Sequence, residues 1–224
     1  MANQLNIIIL AAGKGTRMNS DLPKVLNEVN NKTMLEHVLD QSKLLKPKKI
    51  FIIINKNMIF LKKMFPKENF IIQSQQLGTG HAVRTFLNKV KIVRNDKFLV
   101  LYGDNPLIIF SDLRAMYNKI KKSNLVLLGF KKNNNKSYGI IIGNKSSVRE
   151  IVEFKEASEN LDAIPRIDRD VFIASSKLPE FEMPKPKNKY NKTDLVFALQ
   201  SLLDQAALLK SHTIKLEKIY NVFY

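Results

Sequence analysis

Leu5-Asn-Ile-Ile-Ile-Leu-Ala-Ala-Gly-Lys-Gly-Thr-Arg17 is the stretch of sequence that decides the fold. Its first six residues are almost all apolar, as in a strand buried on both faces of a parallel sheet. Gly13 and Gly15 then allow a sharp turn and a close approach of the backbone to a bound group. The N–H groups freed in such a turn, together with Arg17 and Lys24, would form a cradle for phosphates. The stretch therefore predicts a nucleotide-binding α/β protein.

The first half of the chain alternates strand-like and helix-like segments, which is typical of a parallel sheet with helices on both faces. The predicted strands are Leu5–Leu10, Ile50–Asn55, Phe70–Gln73, Phe98–Leu101 and Leu125–Phe130. The predicted helices are Thr33–Leu45, Lys56–Phe65, Gly80–Asn88 and Ser111–Lys122. Ser111 is the expected N-cap of the last helix because its hydroxyl can accept a hydrogen bond from a free backbone N–H.

The second half is less regular in its pattern. Tyr138–Ile142 and Ser147–Phe154 predict a small β-rich subregion. Thr193–Leu209 carries an apolar stripe at helical spacing, and Pro179 to Lys189, with three prolines, is a predicted loop. We expect one domain over residues 1–224, because a chain of 224 residues with 45% hydrophobic content can bury a single core.

Composition excludes several classes of protein. The chain has no cysteine, which rules out disulfides and thiolate metal sites. No apolar run approaches the roughly 20 residues of a membrane span, and the N-terminus lacks the pattern of a signal peptide. We therefore expect a cytoplasmic protein with no membrane partner.

The formal charge of +17 raises the question of a polyanion partner such as nucleic acid. The lysines are scattered, with short runs only, such as Lys46-Pro-Lys-Lys49 and Lys131-Lys132. Aromatic residues do not alternate with them to make a stacking platform. A solvated surface is the favoured interpretation and nucleic-acid binding the alternative. In either case the field attracts anionic substrates, more strongly at low salt.

Four segments occur in an order and spacing that resemble one family. They are Leu10–Met18 with Leu22-Pro-Lys-Val-Leu26, Gln73-Ser-Gln-Gln-Leu-Gly-Thr-Gly-His-Ala82, Leu101-Tyr-Gly-Asp-Asn-Pro-Leu107, and Tyr138-Gly139 with Ile151-Val-Glu-Phe-Lys155. The chain resembles the sugar-1-phosphate nucleotidyltransferases, within the MobA-like NTP transferases. The likeness is greatest to the N-terminal uridyltransferase (pyrophosphorylase) domain of bacterial bifunctional N-acetylglucosamine-1-phosphate uridyltransferases.

The resemblance implies a Rossmann-like, mixed but mostly parallel sheet, the nucleotide-diphospho-sugar transferase fold. Residues 1–130 would bind nucleotide and residues 131–224 would bind sugar. It also implies a Mg²⁺-dependent reaction of UTP with N-acetylglucosamine-1-phosphate that forms UDP-N-acetylglucosamine, a cell envelope precursor, and pyrophosphate. The oligomeric state stays open between a monomer and a small homo-oligomer. No hexapeptide repeat is present, so we expect no β-helix acetyltransferase domain.

The resemblance also implies a set of site residues. Arg17 and Lys24 would be catalytic, since a planar guanidinium and a point charge both suit phosphate oxygens. The nucleotide would contact Leu10, Ala11, Ala12, Gly13, Gln73, Gly78, Thr79, Tyr102 and Gly103. An amide such as that of Gln73 can donate to and accept from a pyrimidine edge. His81 has no Ser, Cys or metal cluster beside it in the sequence, and a structural role is favoured for it.

Asp104 and Asn221 would hold the metal. A carboxylate in Tyr-Gly-Asp-Asn-Pro, just past a strand, suits Mg²⁺, although an Asp in such a turn can also be structural. The family's second ligand is an Asn that matches Tyr220 or Asn221, depending on register. Asn221 is the assignment because its amide supplies a hard oxygen.

Gly139, Glu153 and Asp168 would contact the sugar. Where the family has Glu-Ile-Asn-Thr-Gly, this chain has Arg166-Ile-Asp-Arg-Asp170, so Asp168 replaces an Asn and Asp170 a Gly. An Asp accepts hydrogen bonds without donating, and it adds negative charge beside an anionic substrate. A different sugar-1-phosphate, or a catalytically degenerate nucleotide sensor or subunit, are therefore alternative functions.

Overall fold

The structure is a computed structural model, and it describes residues 4–13, 22–93, 96–120, 125–130, 140–143, 148–152, 171–175 and 216–221. The helices of this part are α1 (Met34–Leu44), α2 (Leu61–Met64), α3 (Thr79–Lys89) and α4 (Phe110–Lys119), and 3-10 turns cover Lys24–Leu26 and Lys56–Met58. The strands are β1 (Leu5–Leu10), β2 (Glu28–Val29), β3 (Lys32–Thr33), β4 (Lys49–Asn55), β5 (Asn69–Gln73), β6 (Lys97–Tyr102), β7 (Leu125–Phe130), β8 (Ile140–Gly143), β9 (Val148–Val152), β10 (Val171–Ser175) and β11 (Leu216–Asn221).

Seven of the described strands form one sheet in the order β11-β7-β10-β6-β1-β4-β5. All pairings are parallel except those of β10, which runs antiparallel to β6 and β7. In register, Leu10 lies opposite Tyr102 of β6 and Ile53 of β4, and Asn55 lies opposite Gln73 of β5. The carboxyl ends of β1, β4, β5 and β6 therefore share one edge of the sheet. The predicted mixed, mostly parallel sheet is confirmed.

The described helices cover both faces of this sheet. On one face, side chains such as Ile7, Ile9 and Ile52 belong to a buried core that also contains residues of α1 and α4. On the other face, Phe86 of α3 is fully buried between Phe51 and Phe98, with ring centroids 5.1 and 5.7 Å away. The layered α/β arrangement is confirmed.

The helix predicted over Lys56–Phe65 is wrong as one element. Asn55 accepts a hydrogen bond from the Asn57 backbone N–H at 2.9 Å, which caps a 3-10 turn over Lys56–Met58. A single α-helical turn, α2, follows it. The amide of Asn55 also donates to the Ala12 carbonyl at 3.2 Å, so a contact far away in sequence holds the residue that starts the turn.

The predicted N-cap Ser111 is also wrong. α4 begins at Phe110, and its N-cap residue is Ile109, whose side chain makes no capping bond. The Phe110 N–H instead donates to the Oε1 atom of Gln41 at 2.8 Å. A side chain 69 positions away in sequence thus satisfies a donor at the helix start, which local capping rules cannot anticipate.

The β-rich subregion predicted between residues 138 and 154 contains β8 and β9, which pair antiparallel. The strands β10 and β11 were not predicted from the pattern. The helix predicted over Thr193–Leu209 lies outside the described residues. In the part of the chain that the structure describes, every helix is too short or too polar to cross a bilayer.

α1 starts with a reciprocal capping box that supplies a stability prediction. The Oγ1 atom of Thr33 accepts from the Glu36 N–H at 3.2 Å, and the Oε2 atom of Glu36 accepts from the Thr33 N–H at 2.8 Å. The Thr33 hydroxyl, which donates to the same Oε2 atom at 2.7 Å, and then the Thr33 N–H hold the pKa of Glu36 below its ordinary value. We expect Thr33→Ala to lower the free energy of unfolding by about 1 kcal/mol in urea denaturation at neutral pH.

This loss has a predicted pH dependence. A depressed carboxyl pKa contributes stability above the unfolded-state pKa, and the contribution disappears as the pH falls through the folded-state value. The difference between Thr33→Ala and the unmodified chain should therefore shrink in acid. Ser111→Ala is the matched control and should change stability by less than about 0.5 kcal/mol. A larger loss at Ser111 than at Thr33 would contradict both capping assignments.

Candidate active site

A pocket of about 630 Å³ opens at the shared carboxyl edge of the strands. It is bounded by the turn after β1, the 3-10 turn at Lys24, the segment from β5 to α3, and the end of β6. The lining residues are Leu10, Ala11, Ala12, Gly13, Lys24, Val25, Gln73, Gln76, Gly78, Thr79, Ala82, Tyr102 and Asp104. Segments far apart in sequence thus meet where an open parallel sheet binds its ligands.

Ten of the predicted site residues line this pocket: Leu10, Ala11, Ala12, Gly13, Lys24, Gln73, Gly78, Thr79, Tyr102 and Asp104. Arg17, Gly139, Glu153 and Asp168 lie outside the described residues, and their roles stay predictions. Asn221 is the last residue of β11, and β7 and β10 lie between β11 and β6. Its role as a metal ligand stays a prediction too.

The turn after β1 is held by hydrogen bonds from three directions. The Ala11 N–H donates to the Ile53 carbonyl at 2.9 Å. The Ala12 carbonyl accepts from the Asn55 amide at 3.2 Å and from the Gln76 amide at 2.5 Å. Sequence reasoning missed Asn55 and Gln76 as supports of this turn, although Gln76 belongs to one of the four family segments.

Gly13 and Gly103 differ in how closely other protein atoms approach them. A Cβ atom at Gly13 would have no described protein atom within 4 Å, so no described side chain fills the space beside it. A Cβ atom at Gly103 would lie 3.2 Å from Val25, 3.3 Å from Ile9 and 3.4 Å from Ala11. Gly103 therefore has a packing role beneath the pocket, in addition to the nucleotide contact that the resemblance implies.

Lys24 and Asp104 form an ion pair across the pocket, with Nζ and Oδ2 2.5 Å apart. The two side chains are 41% and 28% exposed. A partly exposed pair of this kind contributes at most about 1 kcal/mol, so it does not hold the fold together. A phosphate can compete for the ammonium group and a cation for the carboxylate, which makes the pair exchangeable.

The donor set around Asp104 fits Mg²⁺ held together with a substrate. This ion takes one or two protein carboxylates and completes its octahedron with phosphate oxygens and water. Asp104 offers one hard, partly exposed oxygen ligand at the pocket edge. The described residues contain no cluster of three or more His, Cys, Asp or Glu side chains that would form an all-protein cage.

Gln73 lies at the end of β5 and is only 3% exposed. Its Nε2 atom is 3.2 Å from the Gly78 carbonyl oxygen and 2.8 Å from the Nδ1 atom of His81. Gly78 has φ 103° and ψ 177°, a conformation that other residues rarely adopt. This glycine lets the chain turn from the segment after β5 into α3, so that its carbonyl faces the Gln73 amide.

Comparisons with known proteins agree with this geometry. Residues 7–171 match the MobA-like NTP transferase domain family. Over 199 residues the chain is 37% identical to the bifunctional protein GlmU of Buchnera aphidicola subsp. Baizongia pistaciae, covering 86% of this chain and 44% of that protein. The chain thus spans less than half the length of this curated relative. The resemblance inferred from the four sequence segments is confirmed.

Solved structures share the fold at low sequence identity. The inositol-1-phosphate CTP transferase from T. maritima superposes with a TM-score of 0.74 at 15% identity, over 97% of this chain and 85% of that one. A UDP-glucose pyrophosphorylase complexed with UDP-glucose gives 0.68 at 16% identity, over 97% and 90%. At such identities the likeness establishes the fold, a Rossmann-like nucleotide-diphospho-sugar transferase fold.

Proposed function

Because the chain belongs to the MobA-like NTP transferase domain family, we propose that it is a Mg²⁺-dependent sugar-1-phosphate uridylyltransferase. Its substrates would be UTP and N-acetylglucosamine-1-phosphate, and its products UDP-N-acetylglucosamine and pyrophosphate. The observation that carries the proposal is the meeting of a glycine turn, the Lys24–Asp104 pair and the Gln73 amide in one pocket. These are a phosphate cradle, a charge pair and a group that can contact a base.

The proposed reaction is an in-line displacement. An oxygen of the sugar-1-phosphate forms a bond to the α-phosphorus of UTP. The bond from that phosphorus to the bridging β-phosphate oxygen breaks, and pyrophosphate leaves with the electron pair. The protein has little covalent chemistry to perform, because aligning two anions and neutralising developing charge suffices.

Each charged residue then has a defined task. Lys24 would move from Asp104 to the phosphates and act as a point charge, and Arg17 would hold phosphate oxygens with its planar fork. Asp104 would hold the metal, which supplies positive charge to the phosphate oxygens when bound. The glycine turn, braced by Asn55 and Gln76, would keep backbone N–H groups pointing at the phosphates.

The choice of UTP and of the acetamido sugar rests on the relatives named GlmU and on the four matching segments. The structural neighbours have names that include CTP and UDP-glucose, so nucleotide and sugar both need a direct test. Asp168 and Asp170 favour one alternative, a different sugar-1-phosphate. If the same two residues prevent the sugar-1-phosphate from binding, the other alternative, a nucleotide sensor without turnover, is favoured.

Pyrophosphate release tests the proposal. The purified chain is mixed with Mg²⁺, one of UTP, CTP or GTP, and one of several sugar-1-phosphates. We expect the highest kcat/KM with UTP and N-acetylglucosamine-1-phosphate, and no release without sugar or with excess chelator. A higher kcat/KM with another sugar-1-phosphate would show that the proposed sugar substrate is wrong. UTP binding without release under any condition would favour the sensor.

A further inference from the structure

His81 contacts the residue that the proposed function assigns to the base. It is the third residue of α3 and is half-buried, and its Nδ1 atom lies 2.8 Å from the Nε2 atom of Gln73. The amide nitrogen of Gln73 has hydrogens and no lone pair to share, so it is the donor. The Nδ1 atom of His81 must therefore accept, and the ring is neutral with its proton on Nε2.

The surroundings of the ring support this protonation state. Burial, and then the positive charge of Arg84, hold the pKa of His81 below its ordinary value. A hydrogen bond between the ring and the Gln75 backbone acts in the opposite direction and is the weakest of the three influences. At neutral pH the imidazole is thus available as an acceptor for Gln73.

The two contacts of Nε2 determine which way the Gln73 amide points. Both of its hydrogens are directed at acceptors, the Gly78 carbonyl and the Nδ1 atom of His81. If the amide were rotated by half a turn, its Oε1 atom would face the Gly78 carbonyl oxygen, which can only accept, and that hydrogen bond would be lost. The contact with His81 would then need the ring proton to move from Nε2 to Nδ1. The unrotated amide leaves Oε1 as the polar atom that Gln73 can offer to the pocket, and no described residue provides it with a donor.

An acceptor that faces the ring N3 of the base discriminates between pyrimidines. Uracil carries a hydrogen on its ring N3 and can donate to Oε1, whereas cytosine has an acceptor at N3. With an acceptor facing N3, cytosine would leave two lone pairs opposed to each other, and mismatched buried polar groups are costly. A rotated Gln73 would offer its NH₂ group and reverse this preference.

We propose that His81 is a positioning residue that keeps the Oε1 atom of Gln73 directed at the ring N3 of the base and thereby favours UTP over CTP. This proposal rests on the proposed function, because it needs a nucleoside triphosphate in the pocket. His81 acts through Gln73 and does not touch the reacting phosphates. The helix-start histidine, for which the sequence favoured a merely structural role, becomes a determinant of base specificity.

The test compares variants with and without a hydrogen-bond acceptor at the position of the His81 Nδ1 atom. His81→Leu removes it, and His81→Asn keeps it, because the Oδ1 atom of Asn can occupy nearly the same place as Nδ1. The affinities for UTP and CTP are measured by calorimetry on the purified chain without sugar. We expect His81→Leu to lower the UTP-to-CTP affinity ratio by about tenfold or more, while His81→Asn keeps it within about threefold.

Several outcomes would overturn the proposal. One is an equal loss of UTP and CTP binding in His81→Leu, since a structural defect does not discriminate between bases. Equal UTP-to-CTP affinity ratios in His81→Leu and His81→Asn would also overturn it. So would equal affinities of the unmodified chain for UTP and CTP. If His81→Leu fails to fold, His81→Phe takes its place, because it keeps the ring volume and lacks the acceptor.

Pyrophosphate release keeps this proposal separate from the proposed function. The unmodified chain and His81→Asn could prefer UTP, and His81→Leu lose this preference, while none of them releases pyrophosphate. That result would support the role of His81 and refute catalysis. In active variants, we expect His81→Leu to raise the KM for UTP with little change in kcat. A loss confined to kcat would contradict a role in binding the base.

Discussion

Asp104→Asn should lower kcat for pyrophosphate release by about 100-fold or more. The amide has nearly the shape of the carboxylate but lacks its charge, so the proposed metal position loses its anionic ligand. Lys24 simultaneously loses the negative charge of the partner that lies 2.5 Å away. Its ammonium group then becomes more available to phosphate, and we expect UTP binding without Mg²⁺ to be unchanged or tighter.

Steady-state kinetics with a Mg²⁺ titration measure this effect, and the Mg²⁺ concentration for half-maximal rate should rise. Asp40→Asn is the matched control, because it makes the same chemical change and breaks the exposed Lys32–Asp40 pair, 2.7 Å apart, outside the pocket. We expect activity close to that of the unmodified chain. An Asp104→Asn variant with full activity and an unchanged Mg²⁺ requirement would refute the role proposed for this carboxylate.

Phe86→Ala should lower the free energy of unfolding by about 4 kcal/mol. Phe86 is fully buried on the α3 face of the sheet and makes edge-to-face contacts with Phe51 and Phe98. Truncation removes apolar surface from the core and leaves a cavity between α3 and the sheet, which cannot close unless the helix moves. Since α3 also carries Thr79 and His81, nucleotide binding should weaken as the helix loosens.

Urea denaturation measures this loss, with Phe60→Ala as the control for the chemical change. Phe60 is 42% exposed, so its truncation should cost less than about 1 kcal/mol. Similar losses for the two variants would mean that the face of the sheet under α3 is not a packed core. A Phe86→Leu variant should recover part of the loss because it refills part of the cavity.

Several features of the fold were predictable because their determinants are local. Leu5–Leu10 and Leu125–Phe130 were predicted with the bounds that the structure has, since short and almost entirely apolar runs in an alternating pattern permit few alternatives. The spacing of the family segments placed Leu10, Gln73 and Asp104 in one site. Parallel strands bring their carboxyl ends to one edge, so motifs after such strands meet.

Other features depend on contacts between residues distant in sequence. The cap of α4 comes from Gln41, the Ala12 carbonyl binds Asn55 and Gln76, and Lys24 pairs with Asp104 across 80 positions. No pattern within a short window contains these pairs. β10 was not predicted either. It lies between β6 and β7 in the sheet although it follows both in the sequence, and no local pattern indicates that position.

The sequence by itself determined the class of fold, the edge of the sheet that carries the site and the chemical types gathered there, because periodicity, glycine turns and motif spacing are local properties. Only the tertiary structure decided how these groups are oriented. The contacts of the Gln73 amide with Gly78 and His81, and the pairing of Lys24 with Asp104, follow from which atoms packing brings within hydrogen-bond distance. That proximity is a property of the folded chain, since Lys24 and Asp104 lie 80 positions apart and Gln73 meets His81 only when β5 and α3 have formed.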